Sequence, residues 1–329
     1  MATISKEQKE AILQKANQTI AANEVSFEEV DSFGNKESLS EMLRDIGRYN
    51  KMLGERITLV NDSITATIPF TRENLYLFCA YTGTGKSTVA ANISYPLWKQ
   101  GRKVLVLSNE ESDNDVIFRI ACLELGFSFN EYKKGEMSIE QQKQVLHLFP
   151  EITKFVKVLD VTFKNGLTTK IEGVKSALEA VRSSDYSCVL IDYYQLIKYS
   201  STDKTKTAYE NLNDLRVWLG QYIKAANVPV ALFVQLYSVS KRGGAKDIDA
   251  RIKDCSAIVE PATVIIEVVP NYEDETSEFI IHKDRFGKAG KKIVCPFDRG
   301  RFLNAINKQE LAERRLDKLK EDLPNVAKR

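Results

Sequence analysis

The chain contains the stretch Ala80-Tyr81-Thr82-Gly83-Thr84-Gly85-Lys86-Ser87-Thr88 directly after the apolar run Leu75–Cys79. An apolar strand, a glycine-containing loop and a helix together are typical of a P-loop, whose backbone N–H groups turn toward phosphate oxygens. There, Lys86 reaches the β- and γ-phosphates of a nucleotide, and the Ser87 hydroxyl binds Mg²⁺. Ala80 stands where the motif usually has its first glycine, and the alternative is a glycine-rich turn that only precedes a helix. The predicted nucleotide-binding residues are Ala80, Thr82, Gly83, Thr84, Gly85, Lys86, Ser87 and Thr88.

The composition sets limits on the class of protein. A length of 329 residues allows one large α/β domain with appendages, or two small domains. A net charge of +2 gives no global signal for nucleic acid or membrane, so any such surface must be local. The N-terminus is too polar for a signal peptide, and no apolar run approaches the ~20 residues of a membrane helix. The five scattered cysteines indicate buried free thiols, so we expect a cytoplasmic protein without a membrane partner.

Strand-like and helix-like segments alternate through the middle of the chain. The predicted strands are Leu75–Cys79, Val104–Leu107, Val156–Val161, Cys188–Ile191 and Val230–Val234. The predicted helices are Ser87–Lys99, Asp115–Leu125, Ser138–Phe149, Thr169–Arg182 and Ala208–Ala226. Fully apolar strands separated by helices predict an α/β fold, a mainly parallel sheet with helices on both faces. Three later runs without helices between them, Val264–Val269, Glu278–His282 and Lys292–Cys295, predict antiparallel strands at the edge.

These patterns divide the chain into three parts. Residues 1–57 are predicted to form an N-terminal helical arm that ends in a linker helix with the apolar stripe Leu39–Leu53. Residues 58–306 form the main domain, and residues 307–329 form a charged C-terminal helix or tail that Pro324 ends. A surface helix with a frayed end is the simpler interpretation of this tail, and a helix that docks on a partner is the alternative.

Two strands end in carboxylates. Cys188-Val189-Leu190-Ile191-Asp192 has the pattern of a Walker B element, and parallel strands present their carboxyl ends at one edge of the sheet. We therefore expect Asp192 to lie near Ser87 and to hold Mg²⁺, directly or through water. Glu110 follows the strand after the P-loop helix, where a carboxylate could activate the water that attacks the γ-phosphate. Glu111 is a second candidate for this base, and an acid at a helix start is the alternative for both.

Two further strands end in polar residues. Gln235 follows the buried run Val230–Val234 and could contact the γ-phosphate or the attacking water, or it could be an ordinary turn amide. Lys283 and Arg285 lie on one face of a later strand because side chains alternate with a period of two. Such a pair suits an anion outside the fold, such as the triphosphate of a neighbouring subunit. By itself, however, an exposed edge strand with solubilising charges is the preferred interpretation.

The order of these elements resembles one family. The P-loop, Glu110, Ile191-Asp192-Tyr193-Tyr194-Gln195-Leu196, Asn227–Val230, Gln235-Leu236 and Lys283-x-Arg285-x-Gly287 together resemble the RecA-type motor domain of DnaB-family replicative helicases, over about Arg72 to Leu303. The resemblance implies a RecA-like P-loop ATPase that uses ATP and Mg²⁺. It also implies a homo-hexameric ring that threads single-stranded DNA and unwinds duplex during replication. Lys86, Glu110 and Gln235 would act within one subunit, and Lys283 and Arg285 would reach the adjacent subunit's γ-phosphate.

The departures from the family and the polar loops complete the expectations. The chain has only residues 1–57 in place of the family's large N-terminal helical domain, which suggests a phage or mobile element. This arm or the C-terminal tail could bind primase or other replisome proteins. Two basic loops are predicted to face DNA, with solvated loops as the alternative; their candidate residues are Lys204, Lys206, Lys241, Arg242, Lys246, Arg251 and Lys253. The rival functions are a RecA-like recombinase or loader ATPase, a scaffolding P-loop subunit and a small-molecule kinase.

Overall fold

The computed structural model describes residues 57–108, 110–160, 171–180, 186–192, 207–237, 247–252 and 256–326. These residues lie within Met52–Arg329, the larger of two compact units into which the chain divides. The predicted linker helix Leu39–Leu53 lies outside the described residues. The basic loop residues Lys204, Lys206, Lys241, Arg242, Lys246 and Lys253 lie outside them as well. The domain boundaries and these loop contacts therefore stay predictions.

A nine-stranded sheet forms the centre of the domain, with the order β3-β2-β4-β5-β1-β6-β7-β8-β9. Its strands are β1 Leu75–Ala80, β2 Val104–Ser108, β3 Val156–Asp160, β4 Cys188–Asp192, β5 Val230–Gln235, β6 Val264–Asn271, β7 Thr276–Asp284, β8 Lys292–Asp298 and β9 Arg301–Phe302. In this spatial order, the first six strands, from β3 at one edge to β6, all pair in parallel. β7, β8 and β9 continue the sheet with antiparallel pairing. The predicted mixed α/β sheet is confirmed.

The run Val264–Val269 is predicted to be an antiparallel strand, which is correct for its pairing with β7 and wrong for its pairing with β1. β6 is antiparallel to β7 but parallel to β1, so the antiparallel edge begins one strand later than predicted. The physical reason is the connection from β5, which crosses β1 and enters the sheet on the far side in the same direction. Short helices within this connection were not recognised in the sequence because each is only four residues long.

The helices cover the sheet from both sides. They are α1 Asp62–Thr67, α2 Lys86–Lys99, α3 Asp113–Leu125, α4 Phe129–Lys134, α5 Ile139–Ile152, α6 Ile171–Ala180, α7 Ala208–Ala226, α8 Ile248–Arg251 and α9 Lys308–Val326, with a 3₁₀ helix at Ser256–Val259. All five helices predicted for the middle of the chain are present, whereas α1, α4 and α8 were not predicted. Side-chain caps fix several helix starts. Ser112 accepts from the N–H of Asp115 at 3.2 Å, and Ser138 and Gln141 form a capping box.

Alternate residues of β1 enter two separate cores. Tyr76 and Phe78 pack with Phe233 and with helix α2 on one face. Leu77 and Cys79 pack on the other face with Leu215 and the rest of the apolar stripe of α7. This explains why the central strands are apolar at every position, since neither face meets water. Cys79, Cys122, Cys188 and Cys295 are buried free thiols, as predicted for these four.

The C-terminal helix α9 is attached to the turn between β6 and β7. Arg315 binds both carboxylate oxygens of Asp274, from Nε at 2.9 Å and from Nη2 at 2.5 Å. Lys318 donates to the backbone oxygen of Glu273 at 2.6 Å. The helix continues two residues past Pro324, the residue predicted to end it. Among the described helices, none is long and apolar enough to cross a membrane.

Candidate active site

The loop between β1 and α2 has the backbone conformation that a phosphate cradle requires. Gly83 and Gly85 have φ values of 73° and 96°, a left-handed region in which a residue with a Cβ atom is strained. Thr84 closes the turn, because its N–H and its hydroxyl donate to the Tyr81 oxygen at 3.3 and 2.7 Å. Gly85 precedes α2 and has no side chain, so no side-chain hydrogen bond from this position caps the N-terminus of the 14-residue helix, which is the end of a helix that attracts an anion.

Ser87 and Asp192 lie side by side, as the strand order predicts. The Ser87 hydroxyl donates to Oδ2 of Asp192 at 2.8 Å. Burial raises the pKa of Asp192 to about 6, and the hydrogen bond from Ser87 opposes this shift. The second carboxylate oxygen, Oδ1, is buried and has no hydrogen-bond partner within the described part of the chain. A hydroxyl beside an unsatisfied buried carboxylate oxygen is a donor set that fits Mg²⁺, which prefers oxygen ligands.

Lys86 places a cation at the start of α2. Its side chain is buried, and burial lowers its pKa, while the charges of Asp192 and Glu110 act in the opposite direction. The ammonium group therefore has anionic groups nearby but little contact with water. Such a cation interacts more strongly with an incoming phosphate than an exposed lysine does, because the surroundings screen the charge less.

The two adjacent carboxylates after β2 have different surroundings. Glu111 forms an ion pair with Arg119 of α3, and its N–H donates to the Ser108 hydroxyl at 3.1 Å. Arg119 in turn lies over the ring of Phe129, 4.0 Å from its centroid. Glu110 is exposed, and both carboxylates line one cleft with the P-loop. The structure thus holds Glu111 in an ion pair with Arg119 and leaves Glu110 exposed.

Gln235 connects the end of β5 to the P-loop. It lies opposite Ala80 in the parallel register of β1 and β5. Its amide Nε2 donates to the hydroxyl of Thr82, a direct contact between the end of β5 and the predicted phosphate loop. The prediction that Gln235 lies at the site therefore has a structural basis in this register.

The cleft has a volume of about 390 Å³. The P-loop, Glu110, Glu111 and Gln235 line it together with residues of the β6–β7 turn, β8 and β9. Sequence reasoning missed several lining residues: Arg119, Asn130, Pro270, Asn271, Tyr272, Glu275, Thr276, Ser277, Phe297 and Phe302. Tyr272 is the most prominent of them, with 74% of its surface exposed at the turn.

Comparison with known proteins identifies the family. A family model described as the DnaB-like helicase C-terminal domain matches residues 62–301. The chain belongs to this family. None of the curated proteins compared with the chain matches it.

The solved structures that the DnaB-like domain resembles share its RecA-like fold. One of them, described as an ATPase domain, has a TM-score of 0.65 at 17% identity, over 83% of this chain and 100% of that one. A DnaB-like replicative helicase, described with its interactions with primase, has a TM-score of 0.63 at 17% identity, over 89% of this chain and 72% of that one. The RadB recombinase has a TM-score of 0.53 at 12% identity, over 76% of this chain and 100% of that one. These likenesses establish the fold.

Lys283 and Arg285 do not line the cleft of their own DnaB-like domain. Lys283 Nζ donates to the backbone oxygen of Val259 at 2.7 Å, and Arg285 Nη2 donates to that of Glu260 at 2.8 Å. Both cations thus reach the end of the 3₁₀ helix, Lys283 from within β7 and Arg285 from the residue directly after it. Burial lowers the pKa of Lys283, and the charge of Arg285 adds to this effect.

Arg251 has an internal partner in this DnaB-like domain. Its guanidinium forms an ion pair with the buried carboxylate of Glu267, with Nη1 to Oε2 at 3.0 Å. It also donates to the hydroxyl of Tyr81 at 2.7 Å. Because these hydrogen bonds hold the guanidinium inside the protein, we do not include Arg251 among the DNA-binding residues proposed below.

Proposed function

We propose that this DnaB-like domain is an ATP-driven helicase motor that acts in the cytoplasm. It translocates on single-stranded DNA as a homo-hexameric ring and unwinds duplex during replication. The observation that carries the proposal is the Ser87–Asp192 pair, with an unsatisfied buried carboxylate oxygen, at the N-terminus of α2. In a domain of this family, that arrangement matches the requirements for binding a nucleotide triphosphate with its metal ion.

The proposed chemistry divides among a few side chains. Ser87 and Asp192 would hold Mg²⁺, which supplies positive charge to the β- and γ-phosphates when bound. Lys86 contributes a second positive charge from the start of α2. Glu110 accepts a proton from the attacking water, because it is the carboxylate that faces the cleft without the ion pair that holds Glu111. Gln235 orients the water or contacts the γ-phosphate from the end of β5.

The proposed assembly completes each site with residues from a neighbour. Lys283 and Arg285 would act on the adjacent subunit's γ-phosphate, in keeping with their position away from their own cleft. Single-stranded DNA would pass the two basic loops, with Lys204, Lys206, Lys241, Arg242, Lys246 and Lys253 as the phosphate-binding residues. Primase or other replisome proteins remain candidate partners of residues 1–57 or of the C-terminal helix.

A second candidate function follows from the RecA-like fold, and the same experiment tests it. The similarity to the RadB recombinase supports a RecA-like recombinase or loader ATPase that binds or remodels DNA without unwinding it. The two proposals agree on ATP hydrolysis and on DNA binding. They differ only in whether hydrolysis separates the strands of a duplex.

The deciding experiment combines two assays on the full chain. ATP turnover is measured with and without single-stranded DNA, and strand displacement is measured on a forked duplex with ATP or a non-hydrolysable analogue. A helicase motor should show DNA-stimulated turnover and displacement that requires hydrolysis. Stimulated turnover without displacement would favour the recombinase or loader, and a lack of ATP hydrolysis would refute both.

The assignment of the base gives a specific prediction. Glu110→Gln should still bind ATP but hydrolyse it about 10²-fold more slowly or worse, because the amide cannot accept the proton. Single-turnover hydrolysis at saturating ATP measures this effect without interference from binding. Glu111→Gln is the matched control, since it removes the neighbouring carboxylate and its ion pair with Arg119. If Glu111→Gln shows the large defect and Glu110→Gln does not, Glu111 is the base.

A further inference from the structure

A buried carboxylate lies beside the end of the P-loop strand without taking part in the proposed chemistry. Glu267 of β6 is 3% exposed and lies opposite Cys79, the penultimate residue of β1. Side chains from two other elements bind it. Arg251 of α8 donates to both carboxylate oxygens, and His282 Nε2 of β7 lies 2.8 Å from Oε2. We call Arg251, Glu267, His282 and Tyr81 the Glu267 cluster.

The Glu267 cluster is held by charge in a buried place. Burial on its own would raise the pKa of Glu267, but the hydrogen bonds from His282 and Arg251 outweigh burial, and the pKa is lowered. The carboxylate therefore stays ionised and depends on its partners. A buried charge that loses a partner is strongly destabilised, so the members of such a cluster keep their relative positions or move together.

One end of the cluster is part of the phosphate loop. Arg251 Nη2 donates to the Tyr81 hydroxyl at 2.7 Å, and the guanidinium lies 5.5 Å from the centroid of the Tyr81 ring. The backbone oxygen of Tyr81 accepts both hydrogen bonds that close the turn at Thr84. A shift of this turn therefore displaces Tyr81. Through the Tyr81 hydroxyl, it also displaces the guanidinium of Arg251.

The other end of the cluster is bonded to the residues that directly follow β5. The backbone oxygen of Arg251 accepts from the N–H of Tyr237 at 2.8 Å, and Leu236 pairs with Ile252 in an antiparallel bridge. These bonds join residues on either side of segment 238–246, in which the sequence places Lys241, Arg242 and Lys246. Residues on both sides of the segment thus contact the phosphate loop, through Gln235 and Thr82 before it and through Arg251 and Tyr81 after it.

We propose that Arg251 and Glu267 are positioning residues that transmit nucleotide occupancy at the P-loop to Leu236–Tyr237 and Ile248–Ile252, the residues that flank segment 238–246. Neither touches the reacting atoms. Glu267 fixes the guanidinium, Tyr81 links it to the loop that cradles phosphate, and the Tyr237–Arg251 backbone bond links it to the residues that follow β5. The inference rests on the proposed function, since it takes the P-loop ligand to be a nucleotide. It assigns to Arg251 a role inside the protein in place of a DNA contact.

Hydrogen exchange of the full chain tests this transmission without DNA. Exchange of the amides in 236–252 is measured with and without Mg²⁺ and a non-hydrolysable ATP analogue at saturation. In the wild type we expect nucleotide to change exchange in this segment on the order of tenfold, a usual size for coupling between sites. Glu267→Gln should abolish most of that change at equal nucleotide occupancy, because the amide cannot hold the guanidinium as the carboxylate does.

Two further variants make the test specific. Glu278→Gln is the matched control, because it neutralises a carboxylate on the neighbouring strand whose ion pair with Lys292, at 3.3 Å, is exposed. It should behave as the wild type. Tyr81→Phe removes only the hydroxyl that Arg251 contacts, so it tests the link even if Glu267→Gln fails to fold. It should lose most of the nucleotide-dependent change in 236–252.

The outcomes separate this inference from the proposed function. Direct binding of a fluorescent ATP analogue is measured for each variant. A wild type that binds nucleotide without a change in 236–252 would overturn the inference alone, as would variants that transmit the change as fully as the wild type. A wild type that binds no nucleotide would overturn the proposed function and the inference together.

Discussion

Arg285→Ala should lower ATP turnover of the assembled protein by about 10³–10⁵-fold, the usual cost of removing an arginine finger. The expected loss follows from the proposed action of Arg285 on a neighbour's γ-phosphate, and the position of Arg285 away from its own cleft is consistent with that action. The variant should still bind ATP nearly normally as an isolated subunit, since its own P-loop is intact. Steady-state turnover and nucleotide binding measure the two effects separately.

Mixing Arg285→Ala with Lys86→Ala tests whether the finger acts between subunits. The first variant has a normal pocket, and the second has a normal finger, so some interfaces in a mixed ring combine both. Turnover should then recover partly above that of either variant alone. Arg299→Ala is a matched control because Arg299, like Arg285, donates to a backbone oxygen, that of Gly126 at 3.0 Å. Loss of nucleotide binding by monomeric Arg285→Ala would show that Arg285 acts within its own subunit and would remove the main support for the ring.

Lys86→Ala should reduce ATP turnover to background, a loss of at least about 10²–10³-fold by comparison with the removal of one electrostatic stabiliser from an active site. The fold should survive, because burial already disfavours the charged ammonium and the small alanine side chain relieves that cost. Turnover and thermal unfolding are measured together.

Lys99→Ala is the control for the Lys86 variant. Lys99 lies at the other end of the same helix and forms an exposed ion pair with Glu124 at 2.7 Å. Its loss removes the same charge without touching the cleft, so turnover should stay close to that of the wild type. Near-normal turnover by Lys86→Ala would refute the P-loop assignment.

The centre of the fold could be predicted from the sequence because its strands have no polar face. Runs such as Leu75–Cys79 and Cys188–Ile191 must be covered on both sides, which requires a parallel sheet with helices on each face. That topology alone brings the ends of β1 and β4 to one edge of the sheet. The Ser87–Asp192 contact followed from it without any knowledge of the residues between them.

The remainder of the cleft was beyond sequence reasoning for physical reasons. Arg119 of α3 binds Glu111, which lies 8 positions earlier in the chain, and no local sequence pattern predicts a contact at this spacing. Tyr272 belongs to the turn of the β6–β7 hairpin, and it lines the same cleft as the P-loop because β6 lies directly beside β1. In the sequence, Arg251 is one of several cations in a basic segment, which predicted a DNA contact. Its partner Glu267 lies 16 positions further on, in a strand whose other residues gave no hint of a buried charge.

The attachment of α9 to the β6–β7 turn has a consequence for ionic strength. Arg315 is 56% exposed in its side chain, and ion pairs of this kind weaken as salt screens them. The turn that Asp274 anchors also carries Tyr272 and Glu275 into the cleft. We therefore expect added salt to act on the wall of the proposed nucleotide site as well as on the proposed contacts with DNA phosphates. A salt titration of DNA-stimulated turnover reports on DNA alone only after the DNA-free rate has been subtracted at every salt concentration.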